Sequence, residues 1–218
     1  MIEINNLTVK YGLKTVYDGF NLNVEDGKIT CLLGESGCGK TTLLNAVAGL
    51  VDFGGSISPV RVSYVFQSPR LIPYITVLKN LTAAGAEAEA AHKMLERVGL
   101  GEKAGAYPDF LSGGEAQRVS LCRALLVGSD VLLADEPFSS LDLKTKLSVM
   151  ELFRNLQREE GRSVLFVTHD VDEAVFLSDR IIVTAEGKIL KDFENIPAVG
   201  FGENNSLRGD IISALLNK

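Results

Sequence analysis

The apolar and polar residues of this chain alternate with two different periods. Partial period-two alternation, interrupted by Asn-Asn, Tyr-Gly and Glu-Asp-Gly turns, predicts short strands in the first 24 residues, which we expect to form a small antiparallel sheet. Later apolar runs predict strands at 28–33, 61–66, 130–134, 163–168 and 180–184, and helical spacing predicts helices at 40–48, within 75–100, and at 113–127, 144–159 and 172–177. This alternation predicts an α/β fold with a mostly parallel sheet and helices on both faces.

Two segments follow these periods less clearly. The stretch 83–91 is rich in alanine and glutamate, which favour helix over disorder. Near the end of the chain, 196–205 resembles a loop and 207–216 predicts a weak terminal helix. Because there is neither an internal repeat nor a linker typical of a domain boundary, we expect residues 1–218 to form a single domain.

The composition narrows the class of protein. With 46% hydrophobic and 23% charged residues, the 218-residue chain is ordinary for a globular protein, and its net charge of −6 argues against bulk nucleic-acid binding. Three cysteines without metal-ligand spacing indicate a reducing, cytoplasmic compartment. The sequence shows no signal peptide and no apolar run of the roughly 20 residues that span a bilayer, so we expect any membrane role to need a partner.

Residues 34–42 carry the strongest chemical motif. They read Gly34, Glu35, Ser36, Gly37, Cys38, Gly39, Lys40, Thr41 and Thr42, and the first eight have the spacing of a phosphate-binding loop. Glycines let backbone amides close on an anion, and the helix that starts here points its positive end at the same anion. We expect Lys40 to reach the β- and γ-phosphates and Thr41 to ligate Mg²⁺. Cys38 is either a reactive thiol at a helix start or a small residue that the loop tolerates. The motif predicts nucleoside triphosphate binding on a P-loop NTPase core.

Further segments resemble the motifs of ABC-transporter ATPases. Leu-Ser-Gly-Gly-Glu-Ala-Gln-Arg at 111–118 resembles their signature sequence, and Val-Leu-Leu-Ala-Asp-Glu-Pro at 131–137 resembles their Walker B strand with its adjacent glutamate. Ser-Ser-Leu-Asp at 139–142 is similar to their D-loop and Thr-His-Asp at 168–170 to their switch histidine. Gln67 lies at the Q-loop position, and Tyr11 lies where an aromatic side chain stacks on adenine, although nearby Tyr17 competes for that role. The resemblance covers nearly the whole chain, with the motifs in the family's order.

The resemblance implies a role for each polar residue. Asp135 would hold Mg²⁺ together with Thr41 and Gln67, and Glu136 would act as general base on the attacking water. The alternative for the two carboxylates is a helix cap and a surface ion pair. His169 would bind the γ-phosphate and keep Glu136 and the water in register, since it follows an apolar strand at the carboxyl edge of the sheet, where ligands bind in open α/β folds.

The same resemblance implies a second copy of the chain as a partner. Ser112, Gly113, Gly114 and Glu115 form another helix start, and with Asp142 they would complete the ATP site of the other copy. Glu115 stands where the commonest signature has glutamine. Two chains would then close on two ATP molecules and reopen once the γ-phosphate is lost.

The type of ABC ATPase follows from smaller features. Because the sequence contains no membrane-spanning segment, we expect the membrane permease to be a separate chain. We also expect an external solute-binding protein, and we expect this subunit to lie at the cytoplasmic face of the membrane as a peripheral protein. Gln-Ser-Pro-Arg-Leu-Ile-Pro-Tyr at 67–74 resembles the nitrate, sulfonate and taurine importer branch, and Asp-Glu-Pro-Phe at 135–138 is typical of importers. Residues 68–111 would form most of a compact inserted helical lobe, with 67–74 either receiving the permease or packing in the lobe core. Alternatives are an exporter or lipoprotein-release ATPase, a soluble ATPase for cofactor assembly or repair, and a non-hydrolysing structural module.

Overall fold

The computed structural model describes residues 1–197 and 205–216, which form two sheets and seven α-helices. The strands are β1 Ile2–Tyr11, β2 Lys14–Val24, β3 Ile29–Leu33, β4 Gly54–Ile57, β5 Val62–Val65, β6 Val131–Asp135, β7 Ser163–Thr168, β8 Arg180–Ala185 and β9 Lys188–Glu194. The helices are α1 Lys40–Val47, α2 Val77–Thr82, α3 Ala88–Arg97, α4 Gly113–Leu126, α5 Leu143–Glu160, α6 Val171–Leu177 and α7 Asn205–Leu216.

The larger sheet has six strands in the order β5-β6-β7-β3-β8-β9, and all of its pairings are parallel except that of β9. Every residue of β3, β6 and β7 is buried, as expected for central strands that are covered on both faces. The predicted α/β fold with a mostly parallel sheet is confirmed, and the predicted strands and the helices α1, α4, α5 and α6 lie within about two residues of their expected bounds.

The smaller sheet is antiparallel, as predicted, with the order β2-β1-β4. The prediction that Asn5-Asn6 breaks the first strand was wrong, because β1 runs through both residues with a shift in register. Asn6 has a φ of 53°, and Gly55 of β4 packs its α-carbon directly against the Asn6 carbonyl, where a Cβ atom would collide. The pair therefore forms a bulge, not a turn.

Two helical predictions also need correction. The segment within 75–100 holds two helices, since α2 ends at Thr82 and Gly85 adopts a φ of 99°, which only glycine takes up readily. The alanine-rich stretch 83–91 is thus helical only from Ala88 onward. The predicted terminal helix is present as α7, while most of the predicted loop before it, at 198–204, lies outside the described residues.

The core consists of one hydrophobic cluster on each face of the larger sheet. Along β3, Cys31 and Leu33 belong to the cluster beneath the helices α2 to α6, whereas Leu32 belongs to the cluster shared with α1 and the smaller sheet. The two faces together fix the central strands, so the loops at the carboxyl ends of β3, β6 and β7 begin from a rigid edge. That edge carries most of the polar residues singled out from the sequence.

Candidate functional site

The loop between β3 and α1 is shaped by close packing of its glycines. A Cβ atom on Gly34 would collide with the Thr184 carbonyl oxygen of β8 and lie 3.0 Å from Cys38 Sγ. Gly39 has a φ of 108°, and a Cβ there would lie 2.9 Å from Val16 of β2. Both positions require glycine, so the loop is held in one shape by the strands on either side of it.

Lys40 begins α1 and its ammonium group lies inside this loop. Lys40 Nζ donates to the carbonyl oxygens of Gly34 at 2.7 Å and Glu35 at 2.8 Å, and the residue is buried. Its charge is thus held by backbone carbonyls beside the start of a helix. An incoming phosphate would offer stronger, charged acceptors to the same ammonium group.

Thr41 and Asp135 come together at the ends of α1 and β6. The Thr41 hydroxyl donates to Asp135 Oδ1 at 3.1 Å, and burial raises the pKa of the Asp135 carboxyl group. A buried carboxylate is costly unless a cation or a hydrogen bond compensates it. A hydroxyl and a carboxylate are the hard oxygen ligands that Mg²⁺ takes in phosphate sites, so this pair fits a Mg²⁺ ion.

Glu136 is the meeting point of three chain segments. Its Oε1 lies 3.2 Å from Nδ1 of His169, and its Oε2 accepts a long hydrogen bond of 3.5 Å from Gln67 Nε2. The Glu136 amide donates to the Val167 carbonyl at 3.0 Å, and its φ of 45° turns the side chain out of the strand line. The structure therefore brings together a carboxylate, an imidazole and an amide that are far apart in sequence.

A cleft of about 350 Å³ opens over these groups. The residues that line it are Tyr11, Lys14, Val16, Ser36, Gly37, Gly39, Lys40, Thr41, Thr42, Gln67 and Glu136. Tyr11 is half exposed at its rim, whereas Tyr17 is buried and its hydroxyl donates to the Gly39 carbonyl at 3.1 Å. Burial raises the pKa of Tyr17 well above its usual range. Of the two tyrosines, only Tyr11 is placed to touch a base in the cleft.

The signature segment lies outside this cleft, among the described residues. Ser112 caps α4 by accepting from the Glu115 amide at 3.3 Å, and Glu115 Oε2 accepts from the Ser112 amide at 2.9 Å. Asp142 caps α5 by accepting from the Thr145 amide at 3.1 Å. The α-carbon of Gly114 packs against Ser140 and Leu141, just before Asp142, so the two caps share one surface.

Several contacts of the site were not predicted. Gln117 is buried and donates to the carbonyls of Phe66 and Pro137, both at 3.3 Å, which ties α4 to the segments before Gln67 and after Glu136. Thr184 backs the phosphate loop from β8, and Lys146 of α5 pairs with acidic residues behind His169. Each contact joins positions that are distant in sequence, so no short motif could predict it. The other histidine, His92, lies on the exposed face of α3, where its Nδ1 is 3.4 Å from Glu96 Oε1.

Comparison with known proteins agrees with this geometry. The family model described as ABC transporter matches residues 17–139. The chain is 46% identical over 198 residues to the aliphatic sulfonates import ATP-binding protein SsuB 1 of Paracoccus denitrificans, with 88% of this chain and 82% of that protein covered. It is 44% identical over 200 residues to SsuB 2 of Rhizobium johnstonii, with 88% and 80% covered.

Solved structures resemble it over most of its length. A dimeric post-hydrolysis state of the ATP-binding cassette MJ0796 bound to ADP and Pi matches with a TM-score of 0.81 at 29% identity, covering 91% of this chain and all of that one. A second dimeric structure of MJ0796, described as a bacterial ABC transporter cassette, matches with the same TM-score at 30% identity. Within the described ranges, no helix of this chain is long and apolar enough to cross a membrane.

Proposed function

Since the chain belongs to the ABC transporter family as an ATP-binding and ATP-hydrolysing subunit, we propose that it powers import of a solute of the aliphatic sulfonate class through a separate membrane permease. The observation that carries the hydrolytic part is the 3.2 Å contact between Glu136 and His169 beside the phosphate loop. The names of the relatives support the cargo class and the direction of transport. A solute-binding protein would deliver the cargo, and this subunit would sit on the cytoplasmic face of the membrane.

Each part of ATP hydrolysis can be assigned to a residue of the cleft or beside it. We assign adenine stacking to Tyr11 and phosphate binding to Lys40 and to the amides of residues 34–42. Thr41, Asp135 and Gln67 would hold Mg²⁺, which neutralises charge on the phosphate oxygens. The fit of this ion rests on the 3.1 Å pair of Thr41 and Asp135.

The proton transfer falls to Glu136. A carboxylate within hydrogen-bond reach of the attacking water accepts its proton, and the neighbouring imidazole of His169 holds that carboxylate at 3.2 Å. A neutral His169 that donates from Nδ1 to Glu136 can only accept at Nε2, so donation to the γ-phosphate from Nε2 requires the imidazolium form, in which both ring nitrogens carry a proton. This division of labour explains why the two residues lie side by side at the ends of adjacent strands.

Each copy of the chain would also carry a second surface, which contacts the ATP held by the other copy. Ser112, Gly113, Gly114 and Glu115 would contact the ATP held by the other chain, with Asp142 beside them. Their placement outside the chain's own cleft supports this, since a phosphate-binding helix start needs a ligand from elsewhere. Charge-assisted contacts of roughly 1.5–3 kcal/mol each would favour closure with ATP, and loss of the γ-phosphate would reopen the dimer.

The permease would dock beside Gln67. Ile72 and Tyr74, in the segment 67–74, are exposed apolar residues, and Tyr74 is 88% exposed. Such residues suit a protein contact better than a lobe core. We further propose that residues 1–218 act as one ABC ATPase domain, with about 68–111 forming most of its helical lobe.

Phosphate release from ATP tests the hydrolytic proposal. We expect the wild-type chain to hydrolyse Mg-ATP and Glu136→Gln to lose on the order of a hundredfold or more in rate while still binding ATP, because only proton transfer is removed. Glu89→Gln, on the exposed face of α3, serves as the matched control and should keep the wild-type rate. A Glu136→Gln variant at the wild-type rate would remove Glu136 from its role.

An affinity pull-down from detergent-solubilised native membranes tests the transport proposal. Recovery of a multi-span permease together with a solute-binding protein is the expected result. Recovery of soluble partners alone would contradict it and favour a cofactor-assembly or repair ATPase. Uptake of an aliphatic sulfonate, measured with and without Glu136→Gln, then tests the cargo class.

A further inference from the structure

Lys146 joins the start of α5 to the segment that carries His169. Its Nζ lies 2.6 Å from Glu173 Oε1 and 3.2 Å from Asp170 Oδ2, and its side chain is only 16% exposed. The Lys146 amide also donates to the Asp142 carbonyl at 2.8 Å, so the lysine lies one turn behind the cap of α5. One ammonium group thus connects the helix that follows the D-loop with the residues around the histidine.

The residues on both sides of His169 are hydrogen bonded into the same network. The Thr168 hydroxyl donates to Glu173 Oε2 at 2.7 Å, and its oxygen accepts from the Asp170 amide at 3.0 Å. Glu173 is therefore shared between Lys146 on one oxygen and Thr168 on the other. This arrangement fixes the backbone from 168 to 170, and with it the point from which the imidazole projects.

The network depends on the charge of Lys146. Burial raises the pKa of Glu173, while its hydrogen bonds to Lys146 and Thr168 oppose that rise. Partial burial lowers the pKa of Lys146, but its bonds to Glu173 and Asp170 outweigh this and raise it overall. Removing one partner of a buried ion pair leaves the other charge uncompensated, so a neutral residue at 146 should release Glu173 and loosen the segment.

The imidazole of His169 has little other support. Its side chain is 55% exposed, so packing does not hold it against Glu136. On the basis of the function proposed above, we propose that Lys146 is a positioning residue: it couples the start of α5, where the second copy docks, to the alignment of His169 with Glu136. A shift of Asp142 on dimer closure would then reach the histidine through one side chain.

Steady-state kinetics separate this role from simple loss of fold. We expect Lys146→Met to lower kcat about tenfold or more with KM for ATP within about twofold, since a 1 Å displacement near the reacting groups can cost up to about a hundredfold. Lys146→Arg keeps the charge and should stay within about threefold of the wild-type kcat. Lys191→Met is the matched control, because Lys191 lies on β9, is exposed and makes no ion pair within the described part of the chain. A Lys146→Met variant with wild-type kcat overturns the proposal.

A variant that leaves the ion pair intact keeps the test valid if Lys146→Met folds poorly. Thr168→Val removes the hydroxyl between Glu173 and the Asp170 amide but retains the contact of Lys146 with Glu173. It should lower kcat in the same way with KM unchanged. A folded Thr168→Val protein with the wild-type kcat would contradict the network, whatever Lys146→Met does.

The two histidines of the chain provide a direct spectroscopic readout. In ¹³C-edited NMR of the ligand-free protein, Lys146→Met should shift or broaden the His169 ring signal and leave that of His92 unchanged. Lys191→Met should move neither. An unmoved His169 signal in a folded Lys146→Met protein would contradict the positioning role. A wild-type chain without ATPase activity would instead overturn the proposed function, and that measurement precedes any variant.

Discussion

Replacing Lys40 with Met tests the phosphate loop, and the structure sets the size of the effect. In the ligand-free loop, Lys40 Nζ already has two carbonyl acceptors, on Gly34 and Glu35. When ATP binds, its phosphates replace the neutral acceptors of Lys40 Nζ with charged ones. The net contribution of Lys40 to the free energy of ATP binding is therefore that of about one hydrogen bond to a charged group, about 1.5–3 kcal/mol. At about 1.4 kcal/mol per tenfold, Lys40→Met should raise Kd for ATP by about 10- to 150-fold.

Calorimetry in ATP and EDTA, which prevents hydrolysis, measures this change. At an ATP concentration of 100 times the wild-type Kd, the free energy of unfolding of the wild-type protein should rise by about 2.7 kcal/mol. At the same ATP concentration, that of a variant with about 100-fold weaker binding should rise by about 0.4 kcal/mol. For a chain of this size, these values correspond to rises in Tm of about 5–11 °C and about 1–2 °C. The ligand-free variant should keep its stability within about 1 kcal/mol, because the lost hydrogen bonds and the removed buried charge offset each other.

Lys191→Met removes an exposed lysine from β9 and is the control, which should show the full wild-type rise in Tm. If Lys40→Met showed the same ATP-dependent rise as the wild type, Lys40 would not contact the phosphates, and the assignment of the loop would fail.

Three further substitutions test other parts of the cleft. Gly34→Ala should destabilise the protein by about 1–3 kcal/mol in chemical denaturation, because the added Cβ would collide with the Thr184 carbonyl. The control is Gly128→Ala, which has open space around the added Cβ and should change stability by less than about 0.5 kcal/mol. Since burial raises the folded-state pKa of Asp135, its ionisation costs stability as pH rises through that pKa. Ligand-free Asp135→Asn should therefore gain stability relative to the wild type as the pH rises above the ordinary aspartate range. A difference that shrinks as the pH rises would contradict this. Tyr11→Ala should weaken ATP binding by about 1–3 kcal/mol in titration calorimetry and leave inorganic triphosphate unaffected; equal losses for both ligands would exclude stacking.

The central sheet was predictable because its signal is local. The strands β3, β6 and β7 are continuous apolar runs, and a helix follows each after a short polar loop. The polar site was predictable for the same reason, since Lys40 follows β3 after the phosphate loop, Asp135 ends β6 and His169 comes directly after β7. A rigid parallel sheet brings those ends to one edge, so spacing along the chain was enough to group them.

The errors in the smaller sheet come from contacts that are distant in sequence. Asn5-Asn6 has the composition of a turn, and only the approach of Gly55 from β4 makes it a bulge.

The strand β9 of the larger sheet was missed because it is mostly exposed and charged. Its hairpin uses Glu186 and Gly187, both at positive φ, and a glutamate there is an uncommon signal for such a turn.

The positioning network around His169 was beyond sequence reasoning for a similar reason. Lys146 and Glu173 lie in different helices and each resembles an ordinary exposed helical charge. Their contact depends on how α5 and α6 pack on the sheet, which no short motif records. Motifs thus identified the groups that we propose to contact ATP, while the structure was needed to find the residues that hold those groups in place.

Dimerisation driven by ATP tests the account as a whole most directly. Glu136→Gln should bind ATP without hydrolysing it, and light scattering after size exclusion should then give a mass of about 47 kDa with Mg-ATP, twice the chain mass of 23.5 kDa. With ADP, the mass should stay at 23.5 kDa. A monomer in saturating Mg-ATP, with binding of ATP verified, would contradict the proposal that two copies close on the nucleotide.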